Sequence, residues 1–141
     1  MQLERTIEIW APRAKVWATL MDVQSWPLWT KSMDKLERLD EGPFGVGSEV
    51  RISQPKLLAL VWRVTELEAG SYFAWQSSSR GMTTLAAHRV EPSGEGRTTV
   101  TLSIKQSGPL AWLIGLAMGR MPQRYLDMEA EGLKRYCETP T

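Results

Sequence analysis

The chain has 141 residues, and its 17 Lys plus Arg nearly cancel 16 Asp plus Glu to leave a formal charge of +1. That length suits one domain, 1–141, able to bury its own core, and the near-neutral balance excludes a general field drawing it to nucleic acid or anionic lipid. The single cysteine, Cys137, excludes an internal disulfide framework and fits a reducing, cytoplasmic setting.

The N-terminal Met1-Gln2-Leu3-Glu4-Arg5 mixes charges and lacks the apolar run of a secretory signal. The longest uncharged apolar stretch, 110–119, is about half of the roughly 20 residues a membrane-spanning helix needs, so no stable membrane insertion is expected. Seven tryptophans are dispersed along the chain. Each brings a large ring and an indole N–H that needs a partner, which implies either a bulky core or rings that line a cavity.

Residues 3–10 read as a strand, with Leu3, Ile7 and Ile9 on one face and Arg5 intruding on it. Pro12 suits the first position of a short helix whose apolar face is Val16, Trp17, Leu20 and Met21. Asp22 then caps a further turn that Pro27 ends. Met33, Leu36 and Leu39 are spaced by three, a pattern open to strand or helix. The loop Glu41-Gly42-Pro43-Phe44-Gly45-Val46-Gly47 is strong punctuation.

After it, Val50, Ile52 and Gln54 share one face of a strand stopped by Pro55. Leu60, Trp62 and Val64 alternate with Val61, Arg63 and Thr65. Ala69-Gly70 turns the chain into a strand bearing Phe73, Trp75 and Ser77 on one face, and Arg80-Gly81 turns it into 82–91. A hairpin at Pro92-Ser93-Gly94-Glu95-Gly96 leads to 97–106. Such short turns between successive strands imply antiparallel meander pairing.

Gly108-Pro109 starts the last helix. Its apolar residues Leu110, Leu113, Ile114, Ala117, Met118, Met121, Tyr125 and Met128 step by three or four along one stripe. Pro122, with Gly115 and Gly119 before it, should divide that helix into 108–120 and 121–137. The second part, with Tyr125, Met128, Leu133 and Tyr136, is expected to seal the core. Trp112 and Leu116, partly off the stripe, could instead meet a membrane, a partner or a second copy in a homodimer.

Several stretches resemble the START-like (SRPBCC) superfamily, and within it the polyketide cyclase/dehydrase and lipid-transport group. They are Pro12 with Val16-Trp17 and Leu20, the run Asp22-Val23-Gln24-Ser25-Trp26-Pro27-Leu28-Trp29, Gly42-Pro43-Phe44 with Gly47, and Trp62-Arg63-Val64-Thr65-Glu66. The resemblance implies an α+β helix-grip fold in the order β-α-α-β6-α. A curved antiparallel sheet of about seven strands would wrap around a long C-terminal helix, with an apolar cavity between them. It also implies that 33–40 is a strand. It transfers no catalytic residue, because fold alone does not fix function.

Chemistry-bearing motifs are sparse. There is no glycine-rich phosphate loop, no Gly-x-Ser-x-Gly elbow and no pair of histidines or cysteines spaced for a metal, so neither cofactor nor metal is expected. His88 shares a strand face with Thr84, Ala86 and Val90, which would aim its imidazole into the cavity to orient a ligand or to act as acid or base. Gln54, at the end of an inward face, could hydrogen-bond a ligand, whereas neighbouring Lys56 is expected at the surface. Trp62, Phe73, Trp75 and Leu102 would form an apolar wall, with Met118 and Tyr125 opposite on the helix. Trp26 and Trp29 read as a hydrophobic plug.

These residues suit binding of a small lipid-like or aromatic molecule, as carrier or sensor, in a cavity of a few hundred Å³. One alternative is a polyketide aromatase/cyclase- or dehydratase-like enzyme that folds its substrate in the same cavity. Another is an interaction protein working through the start of the last helix.

Overall fold

The computed structural model describes residues 2–79 and 81–140; Arg80, half of the expected Arg80-Gly81 turn, lies outside the described residues. The chain runs β1 (Gln2–Ile9), α1 (Arg13–Met21), a single 3-10 turn (Val23–Ser25) and α2 (Trp26–Trp29). It continues through β2 (Lys35–Arg38), β3 (Glu49–Ser53), β4 (Leu60–Glu68), β5 (Tyr72–Ser79), β6 (Met82–Gly94) and β7 (Arg97–Ser107). It closes with α3 (Ala111–Met118) and α4 (Met121–Glu138). All seven strands join one antiparallel sheet in the order β1-β7-β6-β5-β4-β3-β2. This is the expected helix-grip architecture.

Alternation of apolar residues positions the concave face. Ile9, Val50, Ile52, Trp62, Val64, Phe73, Trp75, Val90, Val100 and Leu102 are all buried in one core. A register shift between Val64 and Glu66 brings Leu67 back against that core. The intrusion of Arg5 on the inner face of β1 is resolved by charge, since its guanidinium meets the Asp127 carboxylate of α4 at 3.0 Å. The segment with spacing three forms only the four residues of β2, and Leu39 beyond it is exposed.

Four boundaries differ from the sequence reading. Pro27 opens α2 rather than ending a turn, because the first turn of a helix has no use for the missing N–H. Asp22 makes no side-chain cap. The β6–β7 hairpin is tighter than expected: β6 continues to Gly94, which pairs with Arg97. Finally, α3 begins at Ala111, two residues beyond Pro109.

The last stripe is two helices. Gly119 adopts φ 59° and ψ −126°, a conformation costly for any side chain, and breaks the chain before Pro122, which sits in the first turn of α4. On α4 the buried face is Pro122, Leu126, Ala130, Leu133 and Cys137. Met128 and Tyr136, expected to seal the core, are exposed, because the sheet-facing row lies to one side of them on the helix.

Candidate functional site

Between the sheet and the α3–α4 junction lies a cavity of about 110 Å³. That is smaller than the few hundred Å³ expected, because Trp62, Trp75 and Met33 project into the same space. Its walls come from β3 to β7, and its rim is formed by the half-buried Gln54, Leu57, Met82 and Met118. The loop carrying Gln54 and Leu57 is tied to α4, where the Tyr125 hydroxyl donates to the Pro55 carbonyl.

Of the residues singled out in the sequence, Gln54, Trp62, Trp75, His88, Leu102, Met118 and Tyr125 all line this cavity. Phe73 does not. It is fully buried, with Trp17, Trp26 and Phe44 edge-on around it, on the α1–α2 side of the core. Trp26 and Trp29 are core residues, the former donating its indole N–H to the Leu20 carbonyl at 3.0 Å. Lys56 is exposed, as expected.

His88 is held from behind. Its ring stacks on Phe73 with centroids 4.1 Å apart and planes 7° from parallel, and Trp26 and Trp75 meet it edge-on. Nδ1 lies 3.2 Å from the Phe73 carbonyl oxygen. A carbonyl only accepts, so neutral His88 carries its proton on Nδ1 and leaves Nε2 as an acceptor. Burial pushes its pKa down to about 4, and the Phe73 hydrogen bond opposes this only in part.

Glu129 is the residue that the sequence reading missed. It lies one turn beyond Tyr125 on α4, lines the cavity, and has no ion-pair or hydrogen-bond partner among the described residues. Loss of water pushes its pKa up to about 8. The signal was present in the spacing: Met118, Pro122, Tyr125 and Glu129 step by four, three and four, which places a carboxyl on the inward row. With His88 and Tyr125, Glu129 completes the titratable groups among the lining residues. The arrangement offers a neutral acid on the helix and a neutral acceptor on the sheet, both lining the same cavity. No group of three or more His, Cys, Asp or Glu among the described residues could hold a metal ion.

Known structures share this architecture. The Zhui aromatase/cyclase from Streptomyces sp. R1128 superposes with a TM-score of 0.78 at 18% identity, covering 98% of this chain and 93% of that one. A START superfamily protein from Mycobacterium smegmatis gives 0.77 at 14% identity, with 97% of each chain covered. Norcoclaurine synthase from Thalictrum flavum, in complex with dopamine and hydroxybenzaldehyde, gives 0.74 at 12% identity, covering 100% of this chain and 89% of that one. At these identities the likeness is one of fold. No curated protein matches the sequence significantly. A family model does: polyketide cyclase / dehydrase and lipid transport aligns with residues 1–138, and the chain belongs to that family.

Proposed function

We propose that the protein binds a small, mostly apolar molecule in the cavity between sheet and α4, as a carrier or sensor. The supporting observation is a mostly apolar chamber, walled by Ile52, Trp62, Trp75, Leu102, Ile104 and Leu126, with polar side chains such as Gln54, His88, Tyr125 and Glu129 set among them. Its 110 Å³ sets the scale of the ligand. A dry engineered cavity of about 150 Å³ accepts benzene, so this smaller space makes a single ring or a short branched chain the upper limit, and a ring enters only as the lining gives way. The flexible rim side chains Met118 and Leu57 are the ones that could yield to more.

Trp62 and Trp75 make the test direct, because a ligand in the cavity touches indoles. Titration with toluene, phenol and benzaldehyde should give saturable quenching, and native mass spectrometry of gently purified protein should show a retained small molecule. Ala86 also lines the cavity. Filling the space with Ala86→Phe should weaken binding at least about tenfold, while circular dichroism reports an intact fold. The absence of both saturable quenching and a retained molecule would refute the proposal.

A second reading is favoured by Glu129 and His88 together. Near neutral pH a half-buried carboxyl that keeps its proton can donate to a ligand carbonyl, and a neutral imidazole can accept a proton from the adjacent carbon, the pairing a cyclase or dehydratase needs. Under this reading Glu129→Gln still binds a carbonyl compound but loses turnover. A carrier turns over none with either residue.

A further inference from the structure

The uncharged helix α3 is poorly covered. Leu110 and Leu113 are 43% and 50% exposed, Trp112 is 68% exposed and Leu116 74%, all within residues 110–116. Large apolar side chains are ordinarily scattered singly over a soluble surface, and a cluster of this kind marks a contact. The helix is pinned at both ends. The Leu110 N–H donates to the Gly81 carbonyl at 2.8 Å, and Met118 lines the cavity. Leu58, 88% exposed, is next to cavity-lining Leu57 in the loop tied to α4, so exposed apolar residues adjoin the cavity lining on that loop as well as on α3.

Charge around this surface is one-sided. From Lys105 through α3 to Leu126 the chain contains Lys105, Arg120 and Arg124 and no Asp or Glu. Arg120 and Arg124 follow α3 directly, and Lys56 stands in the rim loop. All three are exposed, and none has an ion-pair partner among the described residues. The whole chain carries only +1, so this is a local asymmetry rather than a general field.

That asymmetry discriminates between occupants. In a two-fold dimer formed through α3, Arg120, Arg124 and Lys56 of one copy would approach the same cations of the other, and the nearest acid along α4, Asp127, is already paired with Arg5. An anionic bilayer satisfies both features. Its acyl boundary takes the leucines, its headgroup layer suits the amphipathic Trp112 ring, and its phosphates meet the cations. No helix among the described residues is long and apolar enough to cross a membrane, so the contact would lie in the interface. We infer that α3, with Leu58 and the flanking cations, is a docking face for an anionic lipid surface, placed so that the cavity mouth opens at the bilayer. The docking itself does not require the cavity to be filled.

Vesicle flotation of the full chain, with no added ligand, tests this. The protein should float with vesicles of phosphatidylcholine and phosphatidylglycerol and stay behind with phosphatidylcholine alone. Recovery should fall about tenfold in the double variant Trp112→Gln/Leu116→Gln. It should fall about fivefold in Arg120→Gln, whose solvated side chain leaves folding intact and keeps the test valid should the double variant misfold. Raised salt should release the protein. Three results would each overturn the inference: no flotation with the anionic vesicles, equal flotation with neutral ones, or a concentration-dependent dimer that Leu116→Gln disperses. Because no ligand is added, these outcomes are independent of whether the cavity binds.

Discussion

Between about pH 4.5 and 6.5 water would charge both His88 and Glu129, and burial keeps both neutral. For His88 the depressed value means that the unfolded chain takes up the proton first, so stability is lost as pH falls from 6.5 through about 4. As the one histidine in the chain, it gives an unambiguous NMR signal. Its ring C–H shifts should stay constant from pH 8 to about 5 and move with a midpoint near 4; a midpoint near 6.5 would contradict its burial. Glu129 acts in the opposite direction. Its raised value makes the native state hold the proton more tightly, a contribution complete below pH 4.5 and lost as pH rises through about 8. Glu129→Gln should therefore match the wild type in urea unfolding at pH 4.5 and exceed it at pH 8, by about 4 kcal/mol at most and by less to the extent that water reaches the half-buried carboxyl. A constant difference across that range would dismiss the idea. His88 was legible because alternation with Ala86 and Val90 fixes its side of β6. Glu129 was not, because a lone carboxylate on a helix ordinarily reads as solvated.

Among elements, the contact of α2 with α4 depends on the absence of a side chain. Gly132 is buried within α4, and a Cβ there would run into the Trp29 carbonyl, a backbone group that cannot swing aside. Alanine normally favours a helix over glycine by roughly 0.5–1 kcal/mol. At this position Gly132→Ala should instead destabilise by about 2 kcal/mol, seen as a lower Tm, since overpacking outweighs propensity; a raised Tm would mean that the two helices can part freely. The division between α3 and α4 was readable from glycine and proline placement. Which residues face inward was not: 110–118 is apolar on every side, so periodicity has nothing to select. On α4 the small buried residues Ala130 and Cys137 mark the inner row less loudly than the exposed Met128 and Tyr136 suggest another.

Across the whole molecule, turn punctuation and period-two alternation were enough to lay out the strands after the first loop, and the family resemblance decided β2. Cavity volume was beyond reach, since it depends on how two indoles, Trp62 and Trp75, lean into a shared space rather than on which residues face it. One topological feature bears on how the chain becomes native. Strand β1 pairs with β7, setting Gln2 opposite Lys105 and Ile9 opposite Thr98, while β3 to β7 pair only with sequence neighbours until that closure. The central hairpins can form as soon as they leave the ribosome. The first strand, though made first, must wait for nearly the last, holding Leu3, Ile7 and Ile9 in search of an edge. Such long-range closure belongs to the slow end of folding, milliseconds to seconds. Strand β1 is thus synthesised well before its only sheet partner and is among the last strands to be protected.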